Sequence, residues 1–147
     1  IEKYSKDGLV YPVNLFLFEM LLMNIISNAI KYNESDSPQL IIRFREYLQK
    51  VTIEFIDNGI GVDQHELKKI FSKFYRSDRD KKHDASGSGL GLYLVSRIAA
   101  IHGWKTSVTS PGRGHGATFT VTIPKASISN LREKNIWKRL KKSVFWS

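Results

Sequence analysis

The sequence predicts one α/β domain, on three observations. Three stretches have the apolar spacing of helices and five short stretches read as strands. The 147 residues, 41% of them apolar, suffice for one core. With 12% aromatic residues the chain also carries enough apolar surface to exclude disorder throughout.

Leu9–Val13 reads as a short strand, with Pro12 suited to an edge. Asn14 is placed to cap a helix running to about Tyr32. Its apolar stripe is Leu15, Phe18, Leu22, Ile25 and Ala29, three or four residues apart. Asn33–Pro38 is a turn cluster. Leu40–Tyr47 and Val51–Ile56 alternate as strands, polar at Arg43 and Arg45 in the first and at Thr52 and Glu54 in the second. Val62–Phe71 reads as a short helix. Ser72–Ser88 is polar, charged and without periodicity, and a loop of that length inside a compact domain is expected to be a functional lid. Helical spacing returns over Leu90–Ile101 and stops at His102-Gly103. Lys105–Thr109 and Ala117–Ile123 are two further strands, joined by the glycine-rich turn Pro111–Gly116. The main domain, residues 1–124, ends near Pro124. Residues 125–147 make a basic amphipathic tail, expected to be helical, with Ile136, Trp137, Leu140 and Val144 as its apolar stripe.

Composition narrows the function classes. The absence of cysteine excludes disulfides and thiolate metal sites and fits a reducing compartment. The longest apolar stretch, Leu15–Ile30, is broken by Glu19, Asn24, Ser27 and Asn28, which makes it a poor membrane span, and no signal peptide is visible. The net charge of +9 favours an anionic partner. Much of it sits in the tail, where Lys125, Arg132, Lys134, Lys138, Arg139, Lys141 and Lys142 face only Glu133. The rest of the chain is close to balanced, so charge makes no case for nucleic acid.

Four local patterns carry chemistry. On the first helix Asn24, Asn28, Lys31 and Tyr32 fall on one side, away from the apolar stripe. Two amides, an ammonium and a phenol on one face can ligate a hydrated cation, pair with a phosphate and border a ring; an ordinary solvated face has the same appearance. Asp57-Asn58-Gly59-Ile60-Gly61 follows a strand, so a carboxylate stands where it can accept from an exocyclic amine, and the glycines let backbone approach a flat ligand. A plain strand–turn link reads the same way. Gly87-Ser88-Gly89-Leu90-Gly91 opens a helix and can present free N–H groups to an anion. It is neither a Walker loop, since no Lys-Ser/Thr follows, nor a dinucleotide fingerprint, since no hydrophobic strand precedes it. In Ile70-Phe71-Ser72-Lys73-Phe74-Tyr75-Arg76, packing is the simpler reading of Phe71 and Phe74, and Arg76 is a candidate to reach a phosphate.

Taken in order, NIISNAIKY, DNGIGV, IFSKFYR, GSGLGLYLV and GHGATFTVTIP resemble the N box, first glycine box, F box, second glycine box and final strand of the sensor histidine kinase catalytic domain. The resemblance spans roughly residues 9 to 124. It implies the nucleotide fold shared with gyrase, Hsp90 and MutL (the Bergerat fold): a two-layer α/β sandwich of a mixed sheet backed by helices, with ATP under a flexible lid.

By that resemblance Asn28 ligates Mg²⁺ with Asn24 in support, Lys31 reaches a phosphate, and Tyr32 borders the adenine. Asp57 receives the adenine amine over a floor shaped by Gly59 and Gly61. The F box adds Phe74, Tyr75 and Arg76 to the nucleotide site, Arg76 toward the γ-phosphate. The second glycine box adds Gly87, Gly89, Leu90, Gly91 and Leu92. The implied reaction is transfer of the γ-phosphoryl group to a histidine, with Asn24, Lys31 and Arg76 as its catalytic residues. Such transfer asks the protein for positioning and charge neutralisation. ATP-hydrolysing relatives carry Glu where Asn24 stands. An amide is a poor base, which with the F box favours a kinase over an ATPase; the F box also weighs against an anti-sigma serine kinase, and intact Asn28, Asp57 and glycines weigh against a non-catalytic nucleotide-binding module.

The implied acceptor histidine belongs to a dimerisation domain outside this chain, which reads as part of a longer kinase. The implied partners are that domain and a response regulator, and the implied location is the cytoplasmic side of a membrane-bound sensor. His65-Glu66 imitates an acceptor sequence but lies between boxes. His65, His83, His102 and His115 lack the helical spacing of a zinc site. The tail fits either packing on protein or contact with anionic membrane. One departure concerns the final strand. The family often places a hydroxyl directly after the glycine pair, whereas here Ala117 follows Gly116 and Thr118 comes next. Thr118 is carried into the adenine set, although strand alternation turns it to the other side.

Overall fold

The computed structural model describes residues 13–77 and 88–125. Its elements are α1 (Leu15–Lys31), β1 (Leu40–Glu46), β2 (Lys50–Asp57), α2 (Gly91–Ile101), β3 (Lys105–Thr109) and β4 (Ala117–Pro124). The four strands form one sheet in the order β1-β2-β4-β3, and all three described pairings are antiparallel. The expected first strand lies outside the described residues apart from Val13, as do residues 78–87 of the expected lid and the tail beyond Lys125. Among the described residues no helix is long and apolar enough to cross a membrane.

The register divides each strand between two faces. Opposite Phe55 lie Ile42 and Phe119, and opposite Ile53 lie Phe44 and Val121, so these residues share one face. Arg43, Arg45, Glu54, Thr118 and Thr120 share the other. Both helices cover the apolar face. The core joins Leu21 and Ile25 of α1 and Val95, Ile98 and Ala99 of α2 to Ile53, Phe55, Val121 and Ile123. Each fully buried large side chain contributes about 1.5–3 kcal/mol relative to exposure. On β1, Arg43 and Arg45 pair with Glu54 at 3.5 and 3.2 Å, and such charges keep an edge strand from recruiting another chain.

Asn14 caps α1 as expected, its Oδ1 accepting the Leu17 N–H at 3.1 Å. The stripe is rotated slightly from the expected one. Leu21, Ile25 and Ala29 are buried, Phe18 and Leu22 pack beside them, and Leu15 is 71% exposed. α1 and α2 run antiparallel. The start of α1 meets the end of α2, where the Asn14 N–H donates to His102 Nε2 at 3.2 Å. Trp104 is buried, with the Phe18 ring perpendicular to its own and the His102 ring stacked on it. The short helix expected over Val62–Phe71 is instead a run of turns. N–H groups of Glu66, Lys69 and Ser72 bond three residues back, alternating with four-residue bonds at Leu67 and Ile70, so no continuous α-helix forms.

Candidate functional site

One wall of the main cleft among the described residues is α1 beside the start of α2. Asn24 donates from Nδ2 to its own helix at Met20 O (2.7 Å), which turns Oδ1 toward α2. There Gly91 leaves room for it: a Cβ on Gly91 would lie 3.0 Å from Asn24 Oδ1, tighter than side chains normally tolerate. One turn on, the Asn28 amide makes no hydrogen bond to any described residue. The Lys31 ammonium lies 5.1 Å from the centre of the Tyr32 ring. The residue before α2, Leu90, supplies no side-chain cap, so the first N–H groups of that helix are left for an outside acceptor.

The other wall is two loops laced together. Asp57, the last residue of β2, accepts the N–H of Gly59 (2.9 Å) and of Ala117 (3.2 Å), both at Oδ1. Its second oxygen has no partner among the described residues. Burial pushes the Asp57 carboxyl above its ordinary value of 3.8, against the downward pull of those backbone N–H groups. The Gly116 N–H reaches Gly59 O and the Gly114 N–H reaches Ile60 O. The buried Ser110 hydroxyl uses its full capacity: it accepts from Val62 N–H and Gly112 N–H and donates to Gly116 O at 2.7 Å. Gln64 adds a bond to Ser110 O, and Arg113 pairs with Asp63 across the gap between the loops. Gly116 has φ +67, and a Cβ there would overlap the Asp57 carbonyl, so only glycine lets the loops close this far.

A third group closes the cleft beside the F box. The Tyr75 hydroxyl donates to Oε1 of Glu66 at 2.9 Å. Gly89, at φ +67, packs so tightly that a Cβ would sit 2.8 Å from both Phe74 C and Tyr75 O. The chain therefore leaves toward residue 78 and returns from residue 87 at one point.

These walls enclose a cleft of about 350 Å³, within the range of small-molecule sites. Asn24, Asn28, Lys31, Tyr32, Asp57, Gly61, Tyr75, Gly89, Gly91 and Leu92, which the sequence singles out, all line it. Five others do not. Gly59 lies behind the wall, against Tyr32 O. Phe74 is 62% exposed, at φ 61, with the Lys73 ammonium 4.8 Å from its ring centre. Leu90 and Arg76 are partly buried outside the lining. Thr118 pairs with Ile56 and Thr109 on the sheet face turned away from the helices, while Ala117 and Phe119 face the cleft. Gly87 lies outside the described residues. Sequence reasoning missed Glu66, Asp63 and Arg113. The strand alternation that displaces Thr118 points equally to Phe119.

Among the described residues there is no cluster of three His, Asp or Glu side chains able to hold a metal ion. The Asn28 amide, unbonded among the described residues, suits a cation that arrives hydrated and already bound to phosphates.

The chain belongs to the family of histidine kinase-, DNA gyrase B- and HSP90-like ATPases, whose model matches residues 15–127. It is 34% identical over 106 residues to the signal transduction histidine-protein kinase ArlS of Staphylococcus haemolyticus, covering 72% of this chain and 23% of that one. It is 37% identical over 110 residues to the aerobic respiration control sensor protein ArcB of Escherichia coli, covering 74% of this chain and 14% of ArcB. It thus spans about a quarter or less of these relatives. Among solved structures, the catalytic domain of histidine kinase ThkA superposes with a TM-score of 0.66 at 24% identity, over 82% of this chain and 76% of that one. Full-length ShkA, solved with AMPPNP, matches at 0.62 and 28% identity, over 74% of this chain and 21% of that one.

Proposed function

We propose that this chain is the ATP-binding catalytic domain of a two-component sensor histidine kinase. In this reading it takes Mg-ATP and passes the γ-phosphoryl group to a histidine on a separate dimerisation domain, for relay to a response regulator. The observation that carries the reading is the pairing of opposite walls in one cleft. One offers neutral amides, an ammonium and an uncapped helix start; the other offers a half-buried carboxylate with a vacant oxygen among apolar side chains.

The apolar lining of Ile60, Val62, Ile70, Ala117 and Phe119 suits a flat base. The vacant oxygen of Asp57 accepts an exocyclic amine there. Lys31 and the first N–H groups of α2 receive phosphate oxygens. Asn28 would hold the magnesium ion that accompanies the phosphates and supplies charge neutralisation. Asn24, held by Met20 O and close against Gly91, fixes the spacing between α1 and the start of α2. It cannot deprotonate water, so the site favours transfer over hydrolysis.

The test supplies a separate phosphoacceptor domain, labelled ATP and magnesium, and measures acid-labile phosphate on the acceptor. Transfer that disappears with Asn28→Ala is the expected result. Nucleotide binding with no transfer to any histidine acceptor would overturn the kinase reading. Brisk steady-state hydrolysis, lost in Asp57→Asn, would point to an ATPase instead.

A further inference from the structure

Glu66 is 7% exposed, lines the cleft, and belongs to neither the base clasp nor the phosphate wall. Among the described residues its side chain has one partner, the Tyr75 hydroxyl on Oε1. The other oxygen accepts nothing, and it is not among the sealed, unsatisfied buried atoms, of which the described residues contain only Thr52 Oγ1. That oxygen is not sealed from solvent, so a hydrogen-bond donor on a ligand in the cleft can take the place of water there.

The chemistry of the ligand limits what that donor can be. An adenine nucleotide has three neutral donor groups: the exocyclic amine and the 2′ and 3′ hydroxyls of the ribose. Its phosphates only accept and are repelled by a carboxylate, and the hydrated magnesium that would come with them belongs with Asn28 on the α1 wall. Three carboxylates line the cleft. Asp57 stands among the base-facing apolar groups with one oxygen vacant. Asp63 is neutralised by Arg113. Glu66 remains, on the turns that follow the base loop, and the ribose hydroxyls remain with it.

Resting on the proposed nucleotide site, we infer that Glu66 reads the ribose. Its free oxygen accepts a ribose hydroxyl, and the Tyr75 hydroxyl holds the carboxylate in place. The domain is thereby selective for ribonucleotides over deoxyribonucleotides.

The experiment measures binding of ATP, 2′-deoxy-ATP and 3′-deoxy-ATP to the wild-type chain, Glu66→Ala and Tyr75→Phe. The wild type is expected to favour ATP over one deoxy analogue by about ten- to a hundredfold, the range for a hydrogen bond to a charged group. Glu66→Ala should lose that factor for ATP and leave the discriminated analogue unchanged. Tyr75→Phe, which frees the carboxylate to move, should weaken ATP more than the discriminated analogue and so narrow the preference. Equal loss for all three in Glu66→Ala would overturn the inference, leaving Glu66 only a support for Tyr75, as would a wild type that binds ATP and both analogues equally. A wild type that binds no adenine nucleotide would instead sink the nucleotide site itself. Circular dichroism confirms that each variant is folded before binding is read.

Discussion

The two walls of the cleft are built in contrasting ways. The wall of Asp57–Gln64 and Ser110–Ala117 is laced through backbone N–H groups, one buried hydroxyl and close-packed glycines. The α1–α2 wall has one of its amides tied to its own helix, the other unbonded among the described residues, and an uncapped helix start. The first is complete before a ligand arrives; the second is completed by one. Substitutions in the laced wall should therefore move stability as well as affinity. Those in the open wall should move affinity alone.

The largest effect on stability is expected from Gly116→Val. A side chain at φ +67 against the Asp57 carbonyl must separate the loops, at a cost of about 2–4 kcal/mol. Chemical denaturation reads the loss, and nucleotide affinity should fall with it. Ser110→Ala comes next. It leaves the Val62 and Gly112 N–H groups without their acceptor and should destabilise by about 1–3 kcal/mol in the same assay.

Asp57→Asn separates the two quantities. An asparagine oxygen can accept both backbone N–H groups, so the lacing survives. Burial raises the folded-state pKa of Asp57, so folding favours its protonated form. Its contribution is thus fully present below 3.8 and lost as pH rises through the raised value. At neutral pH the variant should match or exceed wild-type stability, and that advantage should vanish in acid below 3.8. ATP affinity should nevertheless drop by about tenfold or more, measured by calorimetry, because a charged acceptor is lost. Asn28→Ala should have the smallest effect on stability, within about 0.5 kcal/mol. It should abolish the magnesium dependence of nucleotide binding, which titration with and without magnesium reads directly. A stability loss there as large as that of Ser110→Ala would erase the contrast between the walls.

Periodicity and order made most of the frame legible in the sequence. The helix from Asn14, the hairpin Leu40–Asp57 and the final strands follow from apolar spacing, a capping asparagine and turn residues. The α1 face was legible for the same reason: within a helix, spacing fixes direction. Legibility ends where direction depends on loops. Arg113 reaches the cleft because Ser110, just before the Pro111–Gly116 turn, bonds to Val62 and Gln64, contacts 48 and 46 residues apart. Glu66 falls in a stretch that reads as a helix and is in fact a run of turns, so its burial could not be inferred. Phe74 fits an aromatic pair by spacing, yet its backbone lies in the left-handed region and its ring points to solvent.

The contact of Gly89 with Phe74 and Tyr75 bears on how this domain can be altered. Phe74 and Tyr75 on one side and Gly89 on the other are adjoining anchors for the chain that runs between them. A substitution at Gly89 would therefore act on two places at once, the F-box aromatics and the approach to α2, although they are far apart in the chain.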